Sequence, residues 1–135
     1  MLYEELLQIQ KMLEGNEYTD GGVSYYIELD KLDSSVPMSI ALKWKLVALK
    51  AASTAEIKLN IEKIEAPTEE MKRLSEEWHF DEQISSRMLD LLANNEEMYR
   101  FCNDYEYISR GNVGEIFRVI KRGEEMVMIG FYIAD

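Results

Sequence analysis

The run MVMIGFYIA, Met126 to Ala134, constrains the fold more than any other part of the chain. It has no polar face, so a strand formed here must lie centrally in its sheet or be covered by other elements. The run is far shorter than the ~20 apolar residues that a membrane-spanning helix needs. We therefore predict a closing strand over residues 125–133.

A second strand is predicted near the other end of the chain. Residues 23–29, VSYYIEL, are rich in β-branched and aromatic side chains and follow the turn signal TDGG. Before them, apolar residues recur at helical spacing at Leu2, Leu6, Ile9 and Leu13. Gly15 is a natural stop, so a helix is predicted over residues 2–14. The two strands can pair into a small sheet that the middle helices cover.

The middle of the chain is predicted to be mostly helical. Residues 39–52, SIALKWKLVALKAA, alternate as a strand would, but they also satisfy helical spacing, and their alanine, leucine and lysine content favours a helix. A strand over residues 39–47 is the alternative. Ser53 and Glu56 have the spacing of a capping box. An apolar stripe then continues toward Pro67 through Ile57, Ile61 and Ile64.

Two further helices are predicted from their N-terminal signals. Thr68 is the predicted N-cap of the first, and acids follow it in the first turn, where the helix dipole favours them. Asp81 is the predicted N-cap of the second. Its apolar stripe consists of Ile84, Met88, Leu91 and Leu92.

The segment 113–122 fits two structures. Asn112 and Glu115 have capping-box spacing, and Gly123 follows two basic residues as a C-terminal stop, so we favour a helix. A hairpin that turns at KRGE is the alternative. The predicted fold is accordingly α+β and predominantly helical. It has five to seven helices packed on a small sheet of two or three strands, including 23–29 and 125–133, in a single globular domain of residues 1–135.

The charge of the chain bears on its partners. The formal net charge is -11, and residues 67–107 hold eleven acids and four bases. This charge repels the phosphate backbone of nucleic acids and anionic membrane surfaces. We therefore expect a basic protein partner and no membrane contact, nucleic acid is disfavoured, and a homo-oligomer stays open. A lone cysteine cannot close an internal disulfide, and the first residues carry acids where a secretory signal carries bases, so a cytoplasmic location is expected.

No residue pattern in the chain indicates an enzyme. His79 lies among acids, but its spacing matches no catalytic or zinc motif, and it suits a helix C-terminus. Acidic neighbours disfavour a reactive thiolate at Cys102, which we interpret as a small buried hydrophobic residue. We find no phosphate-binding loop and no catalytic triad. The sequence thus predicts no catalytic residue, no metal and no cofactor.

The segment 98–108, MYRFCNDYEYI, has more aromatic residues than one core-facing stripe needs. If it is a helix, Met98, Phe101, Cys102, Tyr105 and Ile108 face the core. Tyr99, Asn103 and Tyr107 then lie on another face with Arg100 beside them. Tyrosine and arginine are typical interface anchors. We therefore predict a partner-binding site at Tyr99, Arg100, Asn103 and Tyr107; the alternative is that another element covers the two tyrosines.

These features favour a non-catalytic, acidic protein–protein interaction domain that binds a basic partner. Immunity proteins, antitoxins and phage-encoded inhibitors share this size and acidity, although no motif places the chain in such a family. One alternative is a self-associating structural or assembly component of the phage or mobile-element type. Another is a DNA-binding regulator that uses residues 108–122, where a turn glycine precedes a segment with basic residues at its end.

Overall fold

A computed structural model describes residues 1–16, 19–20, 23–51, 58–93, 96–102 and 115–134. The helices are α1 (Leu2–Asn16), α2 (Met38–Ala48), α3 (Pro67–Glu77) and α4 (Glu82–Leu92). The strands are β1 (Thr19–Asp20), β2 (Val23–Lys31), β3 (Asn60–Lys63), β4 (Glu97–Cys102), β5 (Ile116–Arg122) and β6 (Glu125–Ala134). No helix in these ranges is long and apolar enough to cross a bilayer.

The strands form one antiparallel sheet in the order β1-β2-β6-β5-β4-β3. The predicted fold, predominantly helical with two or three strands, is therefore wrong. Within the described ranges there are four helices and six strands, of which β1 has only two residues. The predicted pairing of the two end strands is confirmed, since β2 pairs with β6 over eight residue pairs from Ser24–Ala134 to Lys31–Val127.

The central strand β6 separates two hydrophobic clusters. Val127, Ile129 and Phe131 contribute to the cluster formed with α1, α3 and α4. Met126, Met128 and Tyr132 contribute to the cluster on the other side, which α2 covers through Leu42 and Leu46. The prediction that this apolar run is central and covered is confirmed. The fold is thus a sheet between a layer of three helices and a single helix.

The predicted helix over residues 98–108 is wrong where the structure describes the segment. Residues 97–102 form β4, which pairs with β3 on one side and β5 on the other. The spacing of Met98, Phe101 and Cys102 matches a helix by coincidence. Pairing on both sides satisfies the backbone of this aromatic segment, and aromatic residues favour strands. Residues 103–108 lie outside the described part of the chain.

The predicted helix over residues 113–122 is also wrong from Ile116 onward, and the alternative hairpin is confirmed. Strand β5 pairs with β6 from Ile116–Phe131 to Arg122–Glu125. Gly123 has φ +61, a conformation that a tight hairpin turn requires and that glycine adopts without strain. A DNA-reading helix is therefore absent over residues 116–122, while residues 108–114 lie outside the described ranges.

Smaller differences concern the ends of the middle elements. Residues 60–63 form β3 in place of the predicted helical stripe, and Ser53, Glu56 and Ile57 lie outside the described residues. Helix α3 begins at Pro67 with Ala66 as N-cap, so the predicted cap at Thr68 is wrong. The predicted cap at Asp81 is confirmed, because its Oδ1 accepts a hydrogen bond from the Ile84 N–H at 2.9 Å.

The N-terminus of α1 is capped by a residue far away in sequence. The two carboxylate oxygens of Glu125 accept hydrogen bonds from the backbone N–H groups of Leu2 and Tyr3, both at 2.9 Å. Burial acts to raise the pKa of Glu125, but these two donors outweigh it and hold the pKa below its ordinary value. The hairpin that follows β5 thereby fixes the start of α1.

We expect Glu125→Ala to lower the free energy of unfolding by about 1 kcal/mol at neutral pH, the loss typical of a helix cap. A lowered folded-state pKa stabilises the fold above the unfolded-state pKa of 4.5, and this contribution is lost as the pH falls through the folded-state value. The difference in the free energy of unfolding between wild type and variant should therefore become smaller in acid. Urea unfolding at a series of pH values measures it. Glu124→Ala, at the exposed neighbouring position, is the control, and a difference that stays constant with pH contradicts the assignment.

Candidate functional site

Of the predicted partner-binding residues, the two that the structure describes do not share one face. Tyr99 and Arg100 are neighbours on β4, and successive residues of a strand point to opposite sides of the sheet. Tyr99 packs against the cluster on the α2 side, whereas Arg100 reaches Glu70 of α3 on the other side. Asn103 and Tyr107 lie outside the described residues. The two described residues therefore belong to different surroundings, and partner binding by the four residues stays a prediction.

The hydroxyl of Tyr99 bonds within the protein. It donates a hydrogen bond to Glu97 Oε2 at 2.7 Å, and Lys63 Nζ lies 3.1 Å from Glu97 Oε1. Burial, and then the hydrogen bond and charge of Glu97, raise the pKa of Tyr99 to about 12. The half-buried ring and its occupied hydroxyl make Tyr99 part of the sheet rather than a free interface anchor.

Arg100 belongs to a cluster of three arginines around one carboxylate. Arg118 Nη2 lies 3.0 Å from Glu70 Oε1, and Arg100 Nη2 lies 3.7 Å from Glu70 Oε2. Arg73, one turn further along α3, also contacts Glu70. The strand pairing explains this arrangement, because Tyr99 pairs with Val119 and so brings Arg100 close to Arg118.

The charges of this cluster depend on one another. Burial acts to raise the pKa of Glu70, but hydrogen bonds from Arg118 and Arg73 and their positive charges outweigh it, so the pKa is lowered. The side chain of Arg118 is largely buried, and its Nε has no hydrogen-bond partner among the described residues. Glu70 thus neutralises the positive charges of arginines that the strand pairing holds close together.

Beside the arginine cluster lies an open cleft of about 570 Å³ between the first turn of α3 and β3. Glu62, Glu65 and Glu69 line it and are exposed. The bases that also line it are Lys63, Arg73 and Arg100, and each contacts Glu97 or Glu70. None of the ion pairs between described residues uses Glu62, Glu65 or Glu69. The cleft therefore presents three carboxylates to solvent.

The cleft lies at an edge of the sheet. β3 is the last strand in the order and pairs with β4 on one side only, as far as the described strands show. An edge strand presents backbone donors and acceptors that an extended peptide can pair with. An acidic cleft beside an open strand edge can accept an extended segment that carries lysine or arginine.

The other residues singled out by sequence lie elsewhere. His79 follows the end of α3, as predicted, with φ +55, and its ring centroid lies 5.1 Å from that of Tyr25. Cys102 is exposed at the end of β4, so the prediction of a buried cysteine is wrong. The described residues contain no group of three or more side chains placed to hold a metal ion.

Comparisons of the chain with models of known protein families, with curated proteins and with solved structures find no match. The geometry of the site is therefore the basis for assigning a function. Sequence reasoning missed the cleft because it placed β3 and β4 in helices. Alternation of Tyr99, Arg100 and Phe101 between apolar and charged side chains was the available signal for a strand.

Proposed function

We propose that the protein is a non-catalytic protein–protein interaction domain that binds a basic segment of a partner protein at the acidic cleft. The observation that carries this proposal is the set of three exposed carboxylates, Glu62, Glu65 and Glu69, beside the edge strand β3. The partner segment adds to β3 through main-chain hydrogen bonds, and its lysine or arginine side chains meet the carboxylates.

The charge of the whole molecule supports this proposal. A net charge of -11 attracts basic proteins from a distance and increases their rate of association. Helices α1, α3 and α4 contribute strongly to this negative charge, since together they contain nine carboxylates and four basic side chains. We place the protein in the cytoplasm and assign it to the broad class of inhibitor, immunity or antitoxin-like proteins.

A titration with a basic peptide tests the proposal. The probe is a short peptide of alternating lysine and valine, followed by two-dimensional NMR of the ¹⁵N-labelled protein. We expect the backbone amides of β3 and of the first turn of α3 to shift. The triple variant Glu62→Lys, Glu65→Lys, Glu69→Lys should bind at least about tenfold more weakly, because each rim charge pair contributes up to about 1 kcal/mol.

A matched variant separates the cleft from the net charge. Glu14→Lys, Glu76→Lys, Glu124→Lys changes the net charge by the same amount at exposed positions away from the cleft. We expect this variant to lose much less affinity than the cleft variant. Both variants should stay folded, and the cleft variant should melt slightly earlier because Glu69 lies in the first turn of α3, where the helix dipole favours an acid. Equal losses in the two variants, or peptide-induced shifts spread over the whole surface, would reject a defined site at the cleft.

A further inference from the structure

The solvent-facing side of α2 is apolar. Trp44 is 52% exposed and Ile40 is 37% exposed, and they lie one turn apart. The opposite side of α2 is buried against the sheet through Ala41, Leu42 and Leu46. A helix that lies on the surface normally has a polar outer side. An exposed tryptophan within an apolar stripe is typical of a surface that binds another protein.

The charges of α2 and of the residues next to it in sequence are opposite to those of the three helices on the other face of the sheet. Residues 36–51 contain Lys43, Lys45 and Lys50 and no acid. The three helices on the other side of the sheet contain nine carboxylates and four bases. Helix α2 and the helix layer on the other face of the sheet are therefore complementary in charge, the first basic and the second acidic.

We propose that the outer side of α2 docks on the acidic helix layer of a second copy of this chain. The acceptor is the shallow groove of about 640 Å³ along α4, where Asp81, Glu82 and Asp90 are exposed together with one base, Arg87. Lys43 and Lys45 flank Trp44 and meet these carboxylates. A symmetric contact between two α2 helices would instead bring the lysines of both copies together, which like-charge repulsion disfavours.

The position of the two surfaces determines the form of the assembly. Helix α2 and helix α4 pack on opposite faces of the sheet. A head-to-tail contact between them leaves one α2 and one α4 unoccupied at the ends of each assembly, so further copies can add. The contact uses residues other than those of the acidic cleft at β3, and the inference does not depend on the proposed function.

This proposal is tested with two variants, each of which disables one side of the contact. Trp44→Ser removes the docking side, and Glu82→Lys with Asp90→Lys removes the acceptor. Sedimentation velocity should show that the average mass of the wild-type protein rises with concentration. Each variant alone should self-associate at least about tenfold more weakly than the wild type, which is the loss typical of a central interface residue. An equimolar mixture should form a one-to-one dimer and nothing larger, because each variant retains one working side.

Other outcomes overturn the proposal. These are a wild-type protein that stays monomeric at all concentrations, an acceptor variant that assembles as the wild type does, or a mixture that stays monomeric. Glu14→Lys with Glu76→Lys makes the same change in charge away from α4 and should assemble normally. Should the acceptor variant melt early, Glu82→Gln with Asp90→Asn tests the same side with a smaller change in charge.

Tryptophan fluorescence gives a second readout. The chain has two tryptophans, and Trp78 is buried, with its Nε1–H donating to the Tyr132 carbonyl at 3.1 Å. Only Trp44 can therefore move from water into a contact between copies, where it is shielded from solvent. We expect its emission to shift to shorter wavelength as the average mass rises. A rise in mass without this shift would show that the copies meet through a different surface.

Discussion

Arg122→Ala should lower the free energy of unfolding by about 3 kcal/mol, because it leaves the buried carboxylate of Glu96 without its partner. The side chain of Glu96 is 1% exposed, and its Oε1 lies 2.5 Å from Arg122 Nε. Its Oε2 has no hydrogen-bond partner among the described residues, so Arg122 is the main compensation for this charge. Arg122 also contacts Glu5, which ties the end of β5 to α1.

The double variant Arg122→Ala, Glu96→Gln is the decisive control. It removes the buried charge together with its partner, so it should be more stable than Arg122→Ala alone. Urea unfolding of the wild type, the two single variants and the double variant gives the coupling energy between the residues. Equal stabilities of the double variant and Arg122→Ala would show that the unpaired charge is not what destabilises the fold.

Gly130→Ala should also lower the free energy of unfolding by about 3 kcal/mol, which is at the upper end of the usual range for overpacking a core. A Cβ at this position would lie 2.5 Å from Cε2 of Tyr132. The Tyr132 ring is fully buried and cannot move aside. It stacks on Tyr26 with ring centroids 5.3 Å apart, and the edge contact with Phe117 has a centroid distance of 6.1 Å. Glycine in this central strand thus makes room for an aromatic ring.

Gly123→Ala provides the contrast, since no atom lies within 4 Å of a Cβ at Gly123. The loss of unfolding free energy comes from the positive φ alone and should be about 1 kcal/mol.

Tyr132→Leu should relieve the clash at Gly130. Gly130→Ala should therefore lower the free energy of unfolding less in that background than in the wild type. Urea unfolding measures all four variants. If Gly130→Ala costs the same with and without Tyr132, the ring is not the source of the destabilisation.

Elements with strong local signals could be predicted from the sequence. Helix α1 has four buried apolar residues at regular spacing, and α4 has both an apolar stripe and the Asp81 cap. Strands β2 and β6 were recognisable by their β-branched and aromatic content. In these segments the local preference and the tertiary contacts favour the same structure.

Strands β3, β4 and β5 could not be predicted because their local signals are ambiguous. Ile116, Phe117 and Ile120 fit a helix as well as a strand, and their pairing with β6 decides between the two. In β4, the spacing of Met98, Phe101 and Cys102 imitates a helical stripe. Pairing between segments distant in sequence is invisible to local periodicity, and it overrides weak propensity.

The candidate site depends on those same strands. Glu70, Arg100 and Arg118 come from three separate elements, and only the pairing of β4 with β5 beneath α3 brings them together. The acids of the first turn of α3 were visible in the sequence as partners of the helix dipole. Their second role, neutralising arginines and lining a cleft, follows from the tertiary structure alone.

The pairing of β2 with β6 has a consequence for synthesis on the ribosome. Tyr26 pairs with Tyr132, so β2 emerges about a hundred residues before its partner. Until β6 emerges, neither hydrophobic cluster has its central strand, and the nascent chain exposes the apolar faces of α1, α2 and α4. We therefore expect ordered tertiary structure to form only after β6 has been synthesised, and the apolar segments of the unfinished polypeptide to be prone to aggregation until then.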